Sequence, residues 1–305
     1  MRTDLDLLPA TSPITAHTPT DRERQLGLWF GLLGVVAFSG TLPATRIAVA
    51  VLDPVFVGLG RALVAAVLAA VVLAATRTPV PARALWPRLG IVALGVVAGW
   101  PVLTAFAMLY VPAAHGAVVA GLLPLATALA GAWLAHERPP RQFWIWALAG
   151  SVVVVAFALW EGGGRLQPAD LLLAAAVAAA SIGYAEGTRL ARILGGWQVI
   201  CWVLILAAPF VVIPTWLTFD ARSLAAPWSA WAAFAYVAVI SQFLGFFAWY
   251  RGLALGGIAA VGQTQLLQPF LTIVASAWLL AEPVSAATYI SAALVIAAIA
   301  MGRRG

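Results

Sequence analysis

Four polar side chains interrupt an apolar run near the end of the chain: Gln263, Thr264, Gln265 and Gln268 in GQTQLLQP. On a helix, Gln265 and Gln268 are i, i+3 neighbours on one face. Pro269 follows at once, and its missing N–H leaves a carbonyl of the preceding turn without its usual partner. Uncharged amides beside a free carbonyl suit a zwitterion or a hydroxyl. They suit equally well a hydrogen-bonded contact between helices in lipid. A second group is aromatic and polar: Trp100, Pro101 and Thr104 in one run, Ser181 and Tyr184 in another, Ser241, Gln242 and Phe246 in a third. Aromatic faces can sandwich an apolar substrate, but Trp and Tyr also gather at membrane interfaces. Mid-run Trp100 reads as a cavity residue; Trp249 and Tyr250, beside Arg251, read as interfacial.

Ionisable groups at depth are few. Arg61 can offer its guanidinium to a carboxylate, or be held by helix carbonyls, or pair with Asp53. His115 titrates in the physiological range, although a surface histidine is its ordinary reading. Glu186 stands three residues before Arg189, so a local ion pair is expected. If transport is coupled to protons, Glu186 and His115 are the groups to examine. The candidate binding set is therefore Trp100, Thr104, Tyr184, Gln242, Phe246, Gln263, Gln265 and Gln268. Arg61, His115 and Glu186 are candidates for charge or proton coupling, and Pro124 and Pro269 for helix breaks.

What must position these residues is set by composition. Hydrophobic residues make up 63% of the 305 and charged residues only 9%, against about 45–50% and roughly 25% in soluble domains. Such a chain belongs in lipid. A span needs about 20 mostly apolar residues, and punctuation by Gly, Pro and charge gives ten: 26–46, 54–75, 88–110, 113–135, 142–161, 168–189, 197–218, 228–250, 256–280 and 285–302. Residues 1–25 read as a disordered cytoplasmic tail. All 17 basic residues are arginine. With the amino terminus inside, thirteen fall on the cytoplasmic side and three (Arg46, Arg165 and Arg222) outside, with Arg61 within a span. That bias follows the positive-inside rule and places both termini in the cytoplasm.

The chain also repeats itself. TALAGAWLAHE at 127–137 returns as TIVASAWLLAE at 272–282, displaced by 145, with Pro124 and Pro269 three residues upstream. ATRIA at 44–48 returns as GTRLA at 187–191, displaced by 143. Half of ten spans is five, an odd number, so the second copy enters the membrane inverted. This predicts an all-α integral membrane protein with ten transmembrane helices in two inverted five-helix repeats, 26–161 and 168–303, joined by a linker at 162–167. Inverted repeats are common in secondary transporters.

Three stretches, DPVFVGLGRALVAAVL, AAHGAVVAGLLPLATALAGAWLAHERP and GGIAAVGQTQLLQPFLTIVASAWLLAEP, resemble the drug/metabolite transporter superfamily, in particular its EamA-type ten-helix exporters. The resemblance spans about 26–303. It implies a plasma-membrane exporter or exchanger of small metabolites, often amino acids. It also implies a cavity walled mainly by helices one, three, four, six, eight and nine. Two departures stand out: Trp202 near the second-half position equivalent to Arg61, and His136 before Glu137. Expected partners are a small-molecule substrate and the bilayer, in a monomer or homodimer. Nucleic acid is excluded because the arginines form no basic stripe. An enzyme is excluded for want of an HExxH pair, a GxSxG elbow or any lysine. With a single cysteine, Cys201, no metal cluster or cofactor is expected. The rivals are a membrane scaffold, a channel and a lipid-carrier flippase.

Overall fold

The computed structural model describes residues 20–135, 141–161, 165–257 and 261–301. Among the described residues, ten helical spans carry the fold: α1 Asp21–Val49, α2 Pro54–Ala75, α3 Arg83–Ala107, α4 Ala113–Leu134, α5 Arg141–Glu161, α6 Pro168–Leu194, α7 Gly196–Leu217 and α8 Trp228–Gly256. They end with α9, a tight turn at Gln263–Leu267 continued by Gln268–Leu280, and α10 at Ala286–Met301. Seven of these are long and apolar enough to cross a membrane; α5, α9 and α10 contain shorter apolar stretches. The described residues contain no strand.

Several boundaries differ from the expected ones, each for a local reason. α1 starts at Asp21, inside the expected tail, because Thr20 and Glu23 form a capping box that satisfies two orphan amides. The rest of that tail, 1–19, and half of the linker, 162–164, lie outside the described residues, as do His136 and Glu137. Asp53 caps α2, its Oδ1 accepting from the Val55 and Phe56 amides at 2.8 and 3.1 Å. It is therefore not the partner of Arg61. Gly256 closes α8 rather than opening α9, because Gly257 takes φ +83°, a conformation costly for any other residue.

The two repeats interlock. α1 packs most extensively on α8 and also on α9; α6 packs on α3 and on α4. α2 pairs with α7, and α5 with α10. Exchanging first-half for second-half helices maps this list onto itself, which is the two-fold relation the repeated segments imply. Two bundles result, α1–α8–α9 and α3–α4–α6, each mixing both repeats. α1 and α8 approach backbone to backbone: a Cβ on Gly27 would stand 2.6 Å from the Gly256 nitrogen, and one on Gly252 2.7 Å from that of Gly31. Small residues four apart are what permits this spacing in lipid.

Both bundles carry the same irregularity. α3 is π-helical over Ala93–Gly99 and α8 over Tyr236–Leu244, starting points 143 apart, the offset that separates Arg46 from Arg189. Such wide turns are uncommon and recur at functional sites. α4 and α9 are both broken, between Ala120 and Leu123 and at Gln263–Leu267, each just ahead of its proline, Pro124 or Pro269.

Candidate functional site

The bundles enclose a small cavity at mid-span. Phe38, Thr41, Ser241, Phe246 and Gln268 line it from α1, α8 and α9; Val96, Trp100 and Tyr184 from α3 and α6; and Arg61 from α2. Its accessible space is about 10 Å³, room for a single water. α2 contributes its most polar group and α4 none of the lining, a departure from the expected set of walls.

Arg61 is 2% exposed. Its Nε and Nη2 both donate to Gln242 Oε1, at 3.0 and 2.7 Å, and Gln242 Nε2 donates onward to the Val96 carbonyl at 3.2 Å. Gln242 and Val96 belong to the two π-helical segments, so this relay ties the bundles together behind the cavity. Thr41 and Ser241 share a hydrogen bond of 2.8 Å. Phe38, Phe246 and Tyr184 meet edge to face at 5.1 and 6.0 Å, the arrangement aromatic quadrupoles favour. Gln268 lines the cavity with its buried Oε1 unpartnered, and Gln265 leaves both side-chain polar atoms unpartnered. Orphaned buried polar atoms cost about 1–3 kcal/mol each.

Other expected residues lie elsewhere. The Thr104 hydroxyl donates to the Trp100 carbonyl within its own helix at 2.7 Å, away from the cavity, and Ser181 is likewise used by Val177. The Gln263 side chain lies outside the described part of the structure. His115 is buried rather than on the surface: its Nε2 lies 2.7 Å from Asp170 Oδ1 and its ring packs on Phe157. The pair joins α4 to α6 and does not line the cavity. Glu186 is held by Arg88 and, at 3.0 Å, by Arg189, the local pair expected. Trp249 and Tyr250 are fully buried, not interfacial. Trp249 fits against Gly34, and the Tyr250 ring covers Gly187 while its hydroxyl donates to the Gly183 carbonyl at 3.2 Å. Glycines on two other helices make that room, and Arg251 next to them points outward.

Two further contacts join the bundles beyond the cavity lining. At the end of α8, Tyr250 packs against the α6 glycines. At the opposite ends, Arg46 at the end of α1 and Glu282 beyond α9 form an ion pair at 3.0 Å. Arg46 Nη1 donates to the Met108 and Val111 carbonyls at 2.8 and 2.6 Å, and Glu282 accepts from the Ala113 and Ala114 amides at 3.1 and 3.2 Å. This latch fastens one bundle to the α3–α4 corner of the other. A carboxylate at the amino end of α4 also complements the helix dipole.

The EamA-like transporter family model matches twice, over residues 25–161 and 167–302. The chain belongs to the EamA-like transporter family. It is also 46% identical over 279 residues to YdeK of Bacillus subtilis (strain 168), described as an uncharacterized transporter, covering 90% of this chain and 96% of that one. A solved crystal structure shares the fold at TM-score 0.67 and 19% identity, over 90% of this chain and 97% of the other. The protein is thus a multi-pass membrane transporter of two EamA repeats. The sequence readings missed Phe38, Thr41 and Val96; the one signal for the first two is the Gly40 break in α1, where a Cβ would strike the Tyr236 hydroxyl.

Proposed function

We propose that this transporter is a secondary carrier that exports or exchanges small neutral or zwitterionic metabolites, most readily amino acids, across the cell membrane. It does so by alternating access. The observation that carries this reading is the mid-span cavity, polar and aromatic and lined from both bundles. A carrier requires such a site, whereas a scaffold has no use for the unpartnered amides of Gln265 and Gln268 in a closed interior. Opening the latch exposes the cavity to one face while Tyr250 keeps the other shut; releasing Tyr250 from the α6 glycines does the reverse. The arginine distribution orients the latch outward and both termini inward.

Trp100, Tyr184 and Phe246 form the apolar walls, and Gln268 supplies neutral hydrogen bonds. Counterflow of labelled neutral amino acids in liposomes holding the purified protein tests this. Uptake of at least one is expected, and Trp100→Ala reduces its initial rate by about tenfold, in line with the loss of an aromatic contact worth roughly 0.5–1.5 kcal/mol beyond its buried area. Absence of exchange for every small solute under any gradient would leave the carrier reading without support.

A further inference from the structure

Among the described residues, the charge inside the cavity wall has no counter-charge. Among the described carboxylates, Glu23 caps α1, Asp53 caps α2, Asp220 caps the turn before α8, and Asp170, Glu186 and Glu282 are engaged by His115, by Arg88 with Arg189, and by Arg46. None is paired with Arg61, whose only hydrogen-bond partner among the described residues is the neutral Gln242. A guanidinium stays protonated and carries five N–H donors in a planar fork. Holding such a charge out of water without an anion is costly, and inside a membrane it marks a functional group.

The geometry shows which part of the fork is vacant. Gln242 Oε1 occupies the Nε/Nη2 edge. The Nη1/Nη2 edge has no partner, and Arg61 lines the cavity. Gln242 is itself fixed by the Val96 carbonyl, so it positions the guanidinium plane while leaving the second edge free. That edge matches a carboxylate in bidentate geometry.

We infer that the free edge of Arg61 receives the single carboxylate of the cargo, so that the carrier takes zwitterionic or monoanionic carboxylic acids and rejects their amides and amines. This rests on the carrier reading above and narrows it to a substrate class. One guanidinium neutralises one carboxylate; a dianionic phosphate would leave an uncompensated charge, and a cationic amine would face like charge. No carboxylate lines the cavity, so the ammonium of a zwitterion is met by the unpartnered Oε1 of Gln268 and by the face of Trp100. The carboxylate then sets selectivity, and the amino group adds to it.

The test compares matched acids and amides on the full-length protein: leucine with leucinamide, phenylalanine with phenylalaninamide, and lactate with lactamide. Binding is read by thermal stabilisation in detergent and transport by competition in counterflow. At least one acid is expected to bind tenfold or more better than its amide, the size of a bidentate charge-assisted pair of hydrogen bonds. Arg61→Gln removes that preference while the protein stays folded, and Gln242→Leu weakens acid binding with less effect on the amide. Equal binding of acid and amide in every pair, or an unchanged preference in Arg61→Gln, overturns the inference. If wild-type protein exchanges solutes without that preference, the carrier reading survives alone; if it exchanges nothing, the carrier reading itself fails.

Discussion

Glu282→Gln isolates the latch. The substitution keeps the shape of the side chain but removes the charge that faces Arg46 Nε and the amides of Ala113 and Ala114, at 3.0, 3.1 and 3.2 Å. Charge-assisted hydrogen bonds are roughly twice as strong as neutral ones, and a hydrogen bond to a charged group contributes about 1.5–3 kcal/mol against ~1 for a neutral one. Arg46 is about a third exposed and keeps its two carbonyl partners, so only part of that difference is felt. A net loss of about 2 kcal/mol for the closed latch follows, equivalent to a ~30-fold larger open population. The readout is a cysteine in place of Ser241, which lines the cavity, in a Cys201→Ala background that removes the buried native thiol. An impermeant maleimide applied to intact cells should label Glu282→Gln about 30-fold faster than the parent, because the rate follows the rare open state. Arg46→Gln should act similarly, and the double variant should show far less than the sum, since the two residues share one interaction. Equal labelling rates, or acceleration only from the opposite face in inverted vesicles, would refute the latch.

Gly252→Ala places a methyl group 2.7 Å from the Gly31 nitrogen; overpacking of this kind costs about 1–3 kcal/mol and should lower the melting temperature. Gly90→Ala, in a helix with open space around it, should leave that temperature unchanged or raise it slightly through helix propensity. Asp170→Asn weakens the contacts to His115 and to the Gln167 amide at 2.7 and 2.8 Å, costing about 2 kcal/mol. Thermal unfolding should report that loss without a change in the acid-over-amide preference, because the pair anchors α4 to α6 away from the cavity.

The architecture was legible because it is written in quantities a linear chain displays. Apolar length marks the spans, and the repeat that relates Arg46 to Arg189 reveals the two-fold relation between the halves. The interior was much less so. Trp249 and Tyr250 look interfacial beside Arg251, and only Gly34 and Gly187 on other helices make them core residues. Arg61 meets Gln242 across 181 residues, a pairing that no local period encodes. His115 could be placed near a surface, yet its burial depends on Asp170 of the second repeat. The π-helical segments have no sequence period of their own, and it is their matched positions that bring Gln242 to Val96.

The central claim is that the two bundles rock about the cavity so that one exit opens while the other stays shut. Spin-label pairs at exposed positions read both exits in one sample: Val51 with Tyr110 across the latch, and Arg192 with Arg251 across the Tyr250 closure. Comparing the parent with Glu282→Gln, at low and at saturating substrate, the first distance should lengthen while the second stays short, and conditions that lengthen the second should shorten the first. Distances that grow together, or that remain fixed under every condition, would contradict the account.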